Sequence, residues 1–161
     1  MENELTSVVS APGRVFLFGE HALNYGNPAI ALAVDFRVKC SAQPSARFMV
    51  NNEPLEPGKH PHARAAVIHG WTDMDKPISL SIESRIPAGL GLGENAATTV
   101  ACLGAISMLH DHLIFEHVAV NSFDAISEAG DASNPLDTSI STHGGAVMLN
   151  SRASEKTLWV I

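Results

Sequence analysis

Gly89, Gly91 and Gly93 stand at alternate positions between a stretch that alternates apolar and polar residues and a run rich in alanine. Glycine lets backbone approach an anion closely, and a helix starting at Glu94 or Asn95 would turn unpaired N–H groups and its positive dipole end toward the same point. The segment has the makings of a phosphate cradle, although a glycine-rich turn before a helix can also be a plain tight connection. It is not a Walker loop, since no Gly-Lys-Ser or Gly-Lys-Thr follows, and its glycine spacing differs from the dinucleotide-binding fingerprint. Asp137 places a carboxylate at the head of a short helical stretch, where it could accept a proton or cap the helix. His110, Asp111, His112 and His117 bring metal-ligand types together. Positions two apart do not share a helix face, so these residues read as the polar end of one helix and the turn into the next. His60 and His62, in a Pro-flanked loop, are less specific still.

The chain of 161 residues fits one domain, and 45% hydrophobic with 17% charged residues is the balance of a folded protein. The formal charge of -7 and only ten Lys and Arg residues exclude nucleic acid and anionic membrane surfaces as expected partners. An anionic ligand must then be held by local devices: backbone N–H groups, a helix terminus and a metal ion. Cys40 and Cys102 are distant in sequence and form no Cys-x-x-Cys pair, which suggests neither a zinc site nor a disulfide framework. A reducing cytoplasm is the simplest location. The start Met-Glu-Asn-Glu is acidic where an export signal is basic, and no apolar run nears the roughly 18 residues of a membrane span.

These candidates need elements to position them. Ser7 to Phe18 reads as a strand, a turn at Gly13 and a second strand from Arg14; Ala29 to Val34, Phe36 to Ser41 and Arg47 to Val50 are further β-rich stretches. Asn51 to Pro61 reads as a loop, and Pro61 onward as a helix of moderate quality. Ile78, Leu80 and Ile82 alternate with polar residues in the clearest strand. A buried helix should run from Glu94 or Asn95 to about Leu109 and a second from Phe115 to Ala129; Asp131 to Pro135 is a loop, and Asp137 starts a short helix ended by Gly144-Gly145. Ala146 to Leu149 and Thr157 to Ile161 read as strands. Strands first and helices later predict an α+β domain, a mixed sheet with helices packed on one face.

Three ordered segments carry a family resemblance. Ser10-Ala11-Pro12-Gly13-Arg14-Val15-Phe16-Leu17-Phe18-Gly19-Glu20-His21-Ala22-Leu23-Asn24-Tyr25-Gly26-Asn27-Pro28-Ala29-Ile30-Ala31 closely resembles the first motif of mevalonate kinases, members of the GHMP kinase superfamily. Pro87-Ala88-Gly89-Leu90-Gly91-Leu92-Gly93, followed by Ala96-Ala97, is similar to the family's ATP-phosphate loop. Ser133-Asn134-Pro135-Leu136-Asp137-Thr138 with Ser141-Thr142-His143-Gly144-Gly145 looks like its substrate-side loop and catalytic aspartate.

The resemblance implies the N-terminal ATP-binding domain of a kinase over residues 1–161, and transfer of the ATP γ-phosphoryl group to a hydroxyl, that of mevalonate in the nearest family members. Such transfer needs positioning, charge neutralisation and a group to accept the hydroxyl proton. By resemblance Asp137 is the catalytic base or orienting group, and Arg14 is the cation that favours its ionised form and stabilises the moving phosphoryl. ATP would lie on Pro87, Gly89, Leu90, Gly91, Leu92, Gly93, Glu94, Asn95 and Ala96, and the alcohol near Glu20, His21, Asp137 and Thr142. ATP and Mg2+ are the implied cofactors. A small alcohol, with a C-terminal half in trans or a second copy of the chain, are the implied partners.

The pattern is broken in places. Glu94-Asn95 replaces a serine pair that assists the magnesium ion, and a glutamate at a helix N-terminus repels a triphosphate. The family's magnesium-binding Glu would fall at Ile126; Asp124 and Glu128 flank it, and an inserted residue in Ser133-Asn134-Pro135 shifts the register. Glu94 and Asp124 stand as candidate magnesium ligands. The third glycine motif of the family belongs to a C-terminal domain absent from this sequence, and the apolar ending Thr157-Leu158-Trp159-Val160-Ile161 looks like a cut. Weak or absent turnover is therefore expected of this chain alone, with a noncatalytic domain of the same fold as the alternative.

Overall fold

A computed structural model describes residues 5–110, 113–131, 134–150 and 157–160. Two long strands, β1 (Ser7–Phe18) and β2 (Ala29–Pro44), pair antiparallel over most of their length. The chain runs straight through the turn expected at Gly13 and the break expected near Asp35. The disturbance there is a register shift between Pro12 and Gly13 that leaves Asp35 and Phe36 of β2 without partners on β1. Pro12 sits at that shift on a strand paired to β2 along one edge, a place where proline is tolerated.

The shift changes which side chains point inward. Val38, Cys40 and Ala42 are buried on one side of it, and Ala29 and Ala31, of the opposite parity, on the other. Two cores result. The larger gathers Val38, Cys40, Leu80, Val100, Leu103 and Ile106, and the smaller gathers Ala29, Ala31, Leu136, Ile140, Val147 and Leu149.

The far edge of β2 is shared end to end by β5 (Ile78–Ser84) and β6 (Ala146–Asn150). With β3 (Met49–Val50), β4 (Glu53–Pro54) and β7 (Thr157–Val160) they form a seven-stranded sheet of order β4-β3-β5-β2-β6-β7, β1 pairing with β2. The sheet is mixed, because β3 runs parallel to β5 and the other pairs are antiparallel. Alternate residues such as Lys39, Ser81 and Glu83 stay exposed, so one face is solvated while the other meets the helices.

Helices α1 (Pro61–Gly70), α2 (Glu94–Leu109) and α3 (Phe115–Glu128) fall where the sequence predicts them. Ten positions of α2 are buried, so it is the central helix, apolar nearly all round. Burial of Leu103 and Ile106 alone is worth about 1.5–3 kcal/mol each. The last helix, α4 (Pro135–His143), starts two residues before the predicted Asp137. Asn134 is the better cap: its Oδ1 accepts from the N–H groups of Leu136 and Asp137 at 2.9 and 3.2 Å, and Pro135 needs no donor at the first helical position. A short 3-10 helix, Ala22–Tyr25, and the two-residue β4, inside a stretch read as loop, have no clear periodic signal. Asp111, His112, Ser133 and Ile161 lie outside the described residues. Among the described residues no helix is long and apolar enough to cross a membrane.

Candidate active site

Between β5 and α2 the three loop glycines adopt φ of +76°, +67° and +75° at Gly89, Gly91 and Gly93, the left-handed region that side chains resist. Gly93 is also the residue from which α2 starts. Nothing lies within 4 Å of where a Cβ would stand at Gly89 or Gly91, so the loop arches over open space rather than over core. The opposite holds at Gly13 on β1, where a Cβ would stand 2.7 Å from the carbonyl oxygen of Leu92. Strand and loop are in direct backbone contact.

Arg14 fastens that contact with two hydrogen bonds and reaches α4 with a third. Its backbone N–H donates to Leu92 O at 2.8 Å, its Nη1 donates to Gly91 O at 2.5 Å, and its Nε donates to Asp137 Oδ1 at 2.5 Å. Its guanidinium carbon lies 4.7 Å from the centre of the Phe16 ring. Arg14 and Asp137 keep only 13% and 10% of their side-chain surface, so the pair is screened little by solvent. Asp137 is a double partner, since its Oδ2 also accepts from the Asn134 N–H at 3.5 Å and closes a capping box on α4.

The loop, the start of α2, Arg14 and Asp137 enclose an open cavity of about 380 Å³, completed by Ile126 of α3 and Asp131. Pro87, Gly89, Gly91, Leu92, Gly93, Glu94, Asn95 and Ala96 all line it, and Leu90 is exposed on the same loop. Glu94 Oε1 accepts from Ser84 Oγ at 2.7 Å, which ties its carboxylate to the end of β5.

Other candidates are not brought here. Asp124 is exposed on α3, two residues and about half a turn from Ile126, and is not among the cavity-lining residues. Glu20 and His21 are exposed in the turn after β1 and are not among the cavity-lining residues. The Thr142 hydroxyl donates to Thr138 O at 2.7 Å, within its own helix.

Asp131 is the cavity residue that sequence spacing misses. It follows the left-handed Gly130 at the end of α3, and only the packing of α3 on α2 brings it to Asn95, whose Nδ2 donates to Asp131 Oδ2 at 2.5 Å. His62 of α1 joins them, with Nε2 3.2 Å from the same oxygen. Burial pushes the His62 imidazole down from its ordinary value, and the Asp131 charge works against that. Away from the cavity, Cys40 and Cys102 meet in the larger core, where hydrogen bonding to Cys40 and burial push the Cys102 thiol well up.

The fold and the loop define the class. The family model for the GHMP kinases N terminal domain matches residues 62–145, and the chain belongs to that family. Within it the chain is similar to mevalonate kinases: 37% identical over 159 residues to that of Methanothermobacter thermautotrophicus, covering 92% of this chain and 52% of the relative. It is 35% identical over 155 residues to that of Archaeoglobus fulgidus, covering 90% of this chain and 53% of the relative. The chain thus spans about half the length of the curated relatives it matches. The crystal structure of Methanococcus jannaschii mevalonate kinase shares the fold, with a TM-score of 0.82 at 21% identity over 99% of this chain and 56% of that one. So does Lactococcus lactis galactokinase complexed with galactose, at a TM-score of 0.77 and 16% identity over 95% of this chain and 46% of that one.

Proposed function

We propose that this chain supplies the nucleotide-binding side of an ATP-dependent kinase site that phosphorylates a small alcohol, mevalonate being the first candidate. The observation that supports this best is the Arg14–Asp137 pair at one wall of a cavity whose other wall is the glycine loop. The loop and the first turn of α2 receive the phosphates of ATP on backbone N–H groups. Asp137 takes the proton of the substrate hydroxyl as the oxygen–phosphorus bond forms and the bond to the leaving ADP oxygen breaks, its electron pair departing with ADP. Arg14 orients the Asp137 carboxylate through its Nε–H and presents positive charge beside the transferring group.

Magnesium fits this site only as part of the nucleotide complex. Among the described residues no group of three or more His, Cys, Asp or Glu could hold an ion. An ion carried on phosphates needs just one or two protein carboxylates and, when bound, neutralises charge on the phosphate oxygens. Glu94, Asp131 and Asp137 line the cavity and are the acids available. Mevalonate is favoured over other alcohols by the sequence relatives, which are mevalonate kinases. Glu20, His21 and Thr142 are assigned to the alcohol side by their place in the motifs, and a C-terminal half or a second copy of the chain would close the cleft over them.

Two observations favour a noncatalytic domain instead: Ile126 presents an apolar side chain to the cavity, and Glu94 stands where an anion would approach the helix. A single experiment separates the two readings. ATP is titrated with and without magnesium, and ADP release is then followed with mevalonate, homoserine, galactose and phosphomevalonate in turn, with and without the second half of the Methanothermobacter relative. Mevalonate-dependent ADP release supports the kinase; ATP binding with no alcohol-dependent release under any condition supports the noncatalytic domain.

A further inference from the structure

Two features of the cavity that depart from the family pattern meet at Asp131. Asp131 N–H donates to Ile126 O at 3.3 Å, so the chain folds back after α3 and returns a carboxylate beside the position where the helix itself offers only isoleucine. Asp131 Oδ2 receives Asn95 Nδ2 at 2.5 Å and faces His62 Nε2 at 3.2 Å. The other oxygen, Oδ1, accepts no hydrogen bond among the described residues, and the side chain keeps 39% of its surface at the cavity. Among the described residues one oxygen is thus bonded by Asn95 of α2 and lies beside His62 of α1, while the other accepts no hydrogen bond. Asp137 is paired with Arg14 and Asp124 lies off the cavity; Glu94, also with one oxygen bonded, stands on the first turn of α2, whereas Asp131 stands beside the Ile126 position.

We propose that Asp131 is the carboxylate that takes the nucleotide's divalent cation in this chain, with Asn95 and His62 as its positioning residues; the inference rests on the kinase reading above. Magnesium demands near-octahedral geometry and tolerates little slack in a ligand, so donors that fix the second carboxylate oxygen orient the first. This gives Asn95 a physical reason to stand where the family pattern has serine: its amide donor reaches farther from the backbone than a hydroxyl does, far enough to meet Asp131 across the groove between α2 and the end of α3.

The test is calorimetry of ATP binding to the chain in EDTA and in excess magnesium, giving the factor by which the metal tightens ATP. A parallel manganese titration is read by water proton relaxation. Asp131→Asn should lower that factor by about tenfold or more and weaken the manganese signal, while metal-free ATP binds more tightly because a like charge is gone. Asn95→Ala should lower it in the same direction by less. A wild-type factor retained in Asp131→Asn overturns the inference, as does a wild type that binds ATP equally with and without metal, and in both cases the kinase reading stands. Failure of the wild type to bind ATP under either condition removes both. Thermal melts accompany each variant; if Asp131→Asn is unfolded, Asn95→Ala decides, and an unchanged factor there overturns the proposal.

Discussion

Arg14 Nε donates to Asp137 Oδ1 at 2.5 Å, joining the middle of β1 to the first turn of α4 across 123 positions of sequence. The same guanidinium holds Gly91 O, so one side chain couples the glycine loop, the long strand and the carboxylate. A displacement of any of the three must be felt by the others.

Asp137→Asn should therefore do two things. Phosphoryl transfer should vanish, because an amide cannot take the hydroxyl proton. Stability should also fall, by about 1–3 kcal/mol, since Arg14 is left with a weaker partner in a place poor in solvent. Asparagine keeps the cap on Asn134 N–H, which limits the loss to less than that of a fully buried broken pair. Single-turnover transfer and urea unfolding check the two parts, and turnover equal to wild type would remove Asp137 from the chemistry.

Gly13→Ala tests the contact between strand and loop. The added methyl would meet Leu92 O at 2.7 Å and Ile86 Cδ1 at 3.1 Å, and Leu92 O is the acceptor of the Arg14 N–H. The loop must move, at a cost of about 1–3 kcal/mol, and ATP should bind more weakly. Gly89→Ala meets nothing within 4 Å and carries only the strain of its φ of +76°, about 1–2 kcal/mol. Calorimetry on both variants should show the larger loss of ATP affinity at position 13, although residue 89 lies on the loop itself. The reverse order would mean that the strand does not set the loop.

Much of this arrangement was legible in the sequence, for reasons that differ by element. The glycine loop and α2 announced themselves because glycines stop where alanines begin, and β5 because its period of two is clean. The long run of motif around Arg14 and the loop around Asp137 suggested a partnership that spacing alone could not. Asp131 was invisible because its place depends on how α3 leans on α2, a tertiary fact with no local signal. The meeting of Cys40 and Cys102 was hidden in the same way: residues 62 positions apart face each other only because α2 lies on the sheet beneath β2. Pro12-Gly13 misled in the other direction, since a turn signature in an outlying strand can be absorbed as a register shift.

The buried thiols give a pH prediction. Cys102 has its folded-state value raised by Cys40 and burial, so its contribution to stability is complete below the unfolded thiol's value near 9 and is lost as pH rises beyond it, when unfolding alone permits ionisation. Urea midpoints should be level from pH 7 to 8 and should decline above pH about 9, with Cys102→Ala showing a shallower decline. Both thiols should react slowly with a thiol reagent in the native state. Rapid reaction of either at neutral pH would contradict their burial.

Glu94 and Asn95 look in sequence like one lesion, the loss of a serine pair, and the structure separates them. Glu94 puts a negative charge on the first turn of α2, held by Ser84, where phosphates approach; Asn95 reaches away from Glu94 to Asp131. Glu94→Ser should tighten ATP in the presence and absence of magnesium alike, by about tenfold, because it removes a repulsion that does not depend on the metal. Asn95→Ser should leave metal-free binding close to wild type and reduce only the benefit of magnesium, because it releases Asp131 rather than altering charge. The double variant, which restores the serine pair of the family pattern, should then combine a gain and a loss, and its affinity for magnesium-ATP should fall below that of Glu94→Ser alone. Four titrations, wild type and three variants, each with and without magnesium, read this directly. A double variant that binds magnesium-ATP more tightly than either single variant would mean that the two residues act together as one lost metal site, and that Asn95 has no positioning role toward Asp131.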